Sequence, residues 1–174
     1  MDRQAVHDEM ERARTDFHRF LERASEDALR RASNGTRWTN RELLFHMLLG
    51  YLVVWALRLL VRVFSRMPGS ASRRYARILN AATVPFDAVN YLGSCVGGRL
   101  LSLGAMTALA DQAIARLHKR LDRETDADLA RTMHFPTRWD PFFQDSMSLA
   151  EIYHFSTQHF DHHARQLSLD TGTG

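Results

Sequence analysis

At 174 residues the chain is the size of one domain, and 45% hydrophobic against 25% charged residues excludes a disordered or fibrous protein. One cysteine, Cys95, excludes an intramolecular disulfide and any metal site built from cysteines alone. The formal charge of +3 rests almost wholly on arginine, Lys119 being the only lysine, and no nucleic-acid motif accompanies it, so no nucleic-acid partner is expected.

Residues 3–31 carry apolar positions at Val6, Met10, Ala13, Phe17, Phe20, Leu21, Ala24 and Ala28. Spacings of three and four residues predict one long helix with a single apolar stripe. Ser33-Asn34-Gly35 supplies its stop. Thr39 and Glu42 have capping-box spacing and open a second helix. That helix is apolar almost all round from Leu43 to Ala56, interrupted by His46, and ends at Met67-Pro68-Gly69-Ser70. It is long enough to cross a bilayer, but His46 and Arg58 argue against insertion. The arginines at 58, 62, 66, 73, 74 and 77 read as a solvated face in preference to a membrane-surface patch.

A long connection follows from about Ser70 to Gly98, with a short helix near 74–82 and a glycine-rich end at Gly93, Gly97 and Gly98. A third long helix is predicted from about Arg99 to Arg123, its core stripe at Leu103, Met106, Ala110, Ala113, Leu117 and Leu121. Residues 125–147 read as a second irregular connection, whose Phe135–Phe143 stretch holds two prolines and enough aromatic surface to pack on the bundle. Ser148 and Glu151 form another capping box and start the last helix, carried to about Leu169. No strand of useful length is visible. The class is all-α, a four-helix bundle in one domain over 1–170, with 171–174 a flexible tail. No basic-apolar-small leader opens the chain, so the cytoplasm is the expected location.

The histidines are unequal. His7, His18 and His118 lie on charged stretches and are expected to face solvent. In Gln158-His159-Phe160-Asp161-His162-His163, His159 and His163 stand at i and i+4, the spacing by which one helix offers two imidazoles to one metal ion. A third ligand is expected from His46, a polar ring among Leu43, Leu44, Phe45, Met47, Leu48 and Leu49 that needs a partner. His46 lies about 9 Å past Asn40, and His163 about as far from the end of its helix. Antiparallel contact between those two helices would bring the rings level, and the long connection permits that crossover topology. Glu42, Tyr153, Asp161 and His162 are near enough in sequence to steady the ligands.

His46 within an apolar helix after Trp38-x-x-x-Glu42, with a final helix reading His-x-x-His-His-x-x-Gln-Leu over 159–167, resembles the DinB superfamily. The resemblance implies a DinB-like bundle with a long crossover between helices two and three, His46, His159 and His163 as ligands of a divalent metal, and frequent homodimers. It also implies thiol-dependent transferases or isomerases. Zinc is the expected ion, nickel the alternative, because three imidazoles leave a coordination position open. The leading function is a metal-dependent transferase using a low-molecular-weight thiol on a small-molecule substrate. A mycothiol-like thiol suits the arginine bias, which reflects GC-rich coding. The alternatives are metal-assisted hydrolysis, or a non-catalytic pocket lined by Phe45, Tyr51, Trp55 and the Trp139 loop. Cys95, between Gly93 and Gly97, reads as packing.

Overall fold

The computed structural model describes residues 2–169; the predicted tail at 171–174 lies outside them. In chain order the elements are α1 (Arg3–Arg23), α2 (Glu26–Arg30), α3 (Asn40–Phe64), α4 (Gly69–Ala81), α5 (Thr83–Leu100), α6 (Leu103–Leu121), α7 (Asp126–Leu129), β1 (Thr132–His134), β2 (Ser146–Ser148) and α8 (Leu149–Ala164). The four bundle helices are α1, α3, α6 and α8, as the all-α reading expects.

Their directions follow from who meets whom. His7 pairs with Asp122 and His18 with Asp111, so α1 and α6 run antiparallel. Glu9 reaches His154 while Phe17 and Phe20 meet Phe160, so α1 and α8 run parallel. His46 lies beside His163, Tyr51 bonds Thr157, and Arg58 lies over the Tyr153 ring, so α3 and α8 run antiparallel. α3 and α6 therefore point the same way, and the chain must travel back the length of the bundle between them.

The predicted crossover exists, but it is helical throughout. α4 and α5 fill a segment that its glycine-rich end suggested was irregular. Glycine ends helices when the backbone needs a left-handed residue; here it serves close packing instead. A Cβ on Gly97 would sit 2.1 Å from the Phe45 ring, and one on Gly98 would sit 2.8 Å from the Glu42 Cα. α5 can thus lie directly against the N-terminal half of α3. The same substitution of helix for loop delays the third long helix to Leu103, where Ser102 caps it by accepting from the Ala105 N–H.

Other boundaries shift for local reasons. The first predicted helix is two, because Ser25 accepts from the Ala28 N–H and restarts the chain as α2. Both predicted capping boxes, Thr39 with Glu42 and Ser148 with Glu151, are formed. A short antiparallel pair, absent from the sequence reading, sets Met133 opposite Met147 with both buried, and closes the base of the 135–145 loop. α8 stops at Ala164, five residues before Leu169.

The predicted α1 stripe is buried at Val6, Met10, Ala13, Phe17 and Leu21, and the α6 stripe at Met106, Ala110, Ala113, Leu117 and Leu121. Three predicted solvent-facing histidines are partly buried between α1 and α6: His7 stacks on His118, which bonds Glu11, and His18 bonds Asp111. Arg58 is no surface arginine either. It is 3% exposed and bonded, with Arg62, to the buried Glu124. Among the described residues, α3 is the one single helix long and apolar enough to cross a membrane, and more than half of its most apolar window is buried in the bundle.

Candidate metal centre

α3 brings His46 into the interior on its second turn, and the last turns of α8 bring His159 and His163 to the same level. One ring nitrogen from each lies within 4.8 Å of the other two, and all three residues are buried or nearly so. Ring centroids are 4.9 Å apart for His46 and His159, and 4.6 Å for each of the other pairs. The group is compatible with a metal ion.

The outward nitrogens are all occupied. His46 Nδ1 lies 3.1 Å from the Ser94 hydroxyl, whose own proton is directed to the Asn90 carbonyl at 2.8 Å. That hydroxyl must then accept, so His46 Nδ1 carries the proton. His159 Nδ1 donates to the Asp140 carboxylate at 2.9 Å, and His163 Nδ1 to the Gln166 side-chain oxygen at 2.6 Å. Each bond fixes one tautomer, and each leaves Nε2 as an unprotonated lone pair. His159 Nε2 is buried without any hydrogen-bond partner. A buried acceptor left empty costs stability unless something fills it. Three neutral nitrogens, at least one orphaned, form a donor set that suits a borderline divalent ion.

Electrostatics agree with a neutral ring at His46 and at His163. Burial, reinforced by the neighbouring His159 and His163, lowers the His46 pKa to about 2. Burial and His159 lower that of His163 to about 4. These side chains stay deprotonated at neutral pH and need not shed protons to bind a cation.

The surroundings are built to hold the rings. Trp38 stacks on His46 with centroids 4.3 Å apart. Gly50 lets α3 approach the His159 ring, since a Cβ there would lie 2.6 Å from its Cδ2. Asp140 belongs to the loop closed by β1 and β2. Trp139 beside it donates to the Leu79 carbonyl at 2.8 Å and stacks on Phe86 at 3.8 Å, which fixes the loop against α4 and α5. Above the triad opens a cavity of about 540 Å³ walled by Leu49, Leu52, Val53, Phe86, Trp139 and Phe143, among others. Among the described residues, Asp140 is the only acid or base on its wall besides the histidines, and it is spent on His159.

The other sequence candidates lie elsewhere. Glu42 closes its capping box and pairs with Arg99. The Tyr153 hydroxyl donates to Glu124, at the far end of α3. Asp161 pairs with Arg12 on α1. His162 packs edge-on against His163 and Phe142, outside the triad. Trp139 lines the cavity, whereas Phe45, Tyr51 and Trp55 do not. Cys95 is buried, and burial pushes its thiol pKa up, against a role as a standing thiolate.

Sequence reading missed Ser94, Asp140, Gln166 and Gly50. Gln166 had a signal, three residues after His163 on a helix end. Asp140 and Ser94 had none, because a loop and a crossover deliver them.

Residues 9–167 match the model of the DinB superfamily. No match was found among curated proteins or among solved structures. With nearly the whole chain covered, the protein belongs to the DinB superfamily.

Proposed function

We propose that this DinB-superfamily chain binds one divalent ion, zinc before nickel, through Nε2 of His46, His159 and His163, and works as a transferase using a low-molecular-weight thiol. The observation that carries the reading is the pattern of tautomers: three rings with Nδ1 engaged outward, their free nitrogens facing one another beneath an open cavity. Three protein ligands leave a position for an exogenous group, the arrangement of catalytic sites as opposed to structural ones. An ion bound there would lower the pKa of a thiol held beside it, or of a water in the hydrolytic alternative.

The chain's own residues supply the rest. Asp140, Gln166 and Ser94 orient the rings, and Trp38 covers His46. The cavity wall is largely apolar and, among the described residues, presents no cation to a substrate carboxylate. A neutral, largely apolar electrophile therefore fits better than an anionic one. The thiol would release its proton to solvent, its sulfur would form a bond to the electrophilic carbon, and the leaving group would depart with the bonding pair. The thiol could be mycothiol-like. The reading carries with it a cytoplasmic location and a homodimer.

Metal analysis of purified wild type against His46→Ala, His159→Ala and His163→Ala is the test. Stoichiometric metal is expected in wild type and lost in each variant, with the helical circular dichroism retained. Full metal in the variants would remove the ligand assignment. Consumption of free thiol with neutral electrophiles, abolished by chelation, separates the transferase from the hydrolase and from a non-catalytic pocket.

A further inference from the structure

Among the described residues, the outer side of α3 has no partner along its second half. Val53, Leu59 and Val63 are 41%, 57% and 54% exposed, and their helical positions put them on one side of the molecule. Single exposed apolar residues are ordinary; a strip across about three turns is not. Beside it, between α3 and α6, lies a depression of about 260 Å³ walled by Trp55, Arg116, Lys119, Arg120 and Arg123. The four cations are exposed, and none forms an ion pair among the described residues. Arg120 lies over the Trp55 ring at 5.3 Å. Arg66 extends the cationic border at the end of α3. Between Glu42 and Asp111 the chain holds one acid, Asp87, and Asp122 at the end of α6 is paired with His7 on α1.

We infer that this face is a docking surface for an anionic lipid bilayer, with Leu59, Val63 and Trp55 entering the headgroup region and the α6 cations meeting lipid phosphates. Apolar tips ringed by arginine and lysine, with an indole at the boundary, have the amphipathic composition of helices that lie in a membrane interface. A second copy of the chain suits the face less well. A two-fold contact sets a patch against itself, and these cations would then meet cations without carboxylates to offset them. A nucleic acid would satisfy the charge but leave the apolar strip in water. Val53 belongs both to the strip and to the wall of the triad cavity, so the docked face would stand at the cavity's edge.

The test is co-sedimentation with vesicles of equimolar phosphatidylglycerol and phosphatidylcholine, against phosphatidylcholine alone. Binding is expected to the anionic vesicles and to fall at high salt. Lys119→Gln with Arg123→Gln should weaken it about five-fold per charge, and Leu59→Ser with Val63→Ser should weaken it further at any salt. These side chains are exposed, and circular dichroism checks that the variants fold. His163→Ala should bind vesicles like wild type, so this surface and the metal centre fail independently. Equal binding to both vesicle types, no binding to either, tight salt-dependent binding to duplex DNA alone, or a dimer that Leu59→Ser dissociates would each overturn the inference.

Discussion

α3 carries a buried polar cluster at each end, and the two are finished in opposite ways. Towards its C-terminus, Arg58 and Arg62 bond the two oxygens of Glu124, and the Tyr153 hydroxyl adds a third donor at 3.3 Å. That carboxylate is saturated by protein, although Arg58 Nε and Arg62 Nε are themselves buried without a partner among the described residues. Towards the N-terminus, Ser94, Asp140 and Gln166 use every outward nitrogen of the three histidines, while the inward side, with the orphaned His159 Nε2, has no protein group to meet it among the described residues. A carboxylate met by donors from α3 and α8 holds helices together. A cluster whose partners all stand on one side is arranged around something the chain does not supply.

The largest effect should come from breaking the closed cluster. Glu124→Ala strands the buried Arg58 guanidinium, and loss of one partner from a buried ion pair costs about 3–5 kcal/mol. Urea denaturation should show that loss, while metal stoichiometry of the folded fraction stays unchanged. A stability within about 1 kcal/mol of wild type would mean that Arg58 finds water, and that the cluster is not closed.

Breaking the open cluster should do the reverse. Asp140→Ala removes the carboxylate behind His159, and loss of such a supporting group weakens metal affinity about 10–100-fold. The metal-free protein should lose less stability than Glu124→Ala costs it, about 1–3 kcal/mol for the buried His159 Nδ1 left without its acceptor. Competition with a chromogenic chelator reads the affinity, and an unchanged value would release Asp140 from the site.

Acid should separate the two by pH. His46 and His163 are held below the usual 6.5, at about 2 and about 4, so the folded metal-free chain refuses protons that the unfolded chain accepts. Their contribution is whole above pH 6.5 and declines as the pH falls from 6.5 towards 4, His46 continuing to decline below that. Glu124 works lower. Burial alone would raise its pKa, but the bonds from Arg58 and Arg62 bring it below the usual 4.5, so its loss begins only beneath that value. Denaturation of chelated wild type between pH 7 and 4.5 should therefore slope, and His46→Gln with His163→Gln should flatten that limb. An unaltered slope would assign it to other groups.

The sequence determined whatever depends on neighbours in the chain. Helical periodicity marked the buried stripes of α1 and α6, Thr39-Glu42 and Ser148-Glu151 marked two helix starts, and the i, i+4 pair His159 and His163 marked a shared face. The length between α3 and α6 also permitted the crossover topology, whereas short links alone would have made α3 and α8 parallel. Glycine was the residue most open to misreading. Gly97 and Gly98 look like breakers in a linear reading and act as contact points against α3, a role set by what approaches them and not by their own backbone preference. Arg58 was read as solvated for the same reason, since its partner Glu124 is far along the chain. Only the folded molecule decided that Ser94 from a crossover, Asp140 from a loop and Gln166 from a helix end would take the outer nitrogens of three rings. Such bonds form between segments that have no fixed relation until the core has packed, so periodicity can give each ligand's face but not the partner behind it.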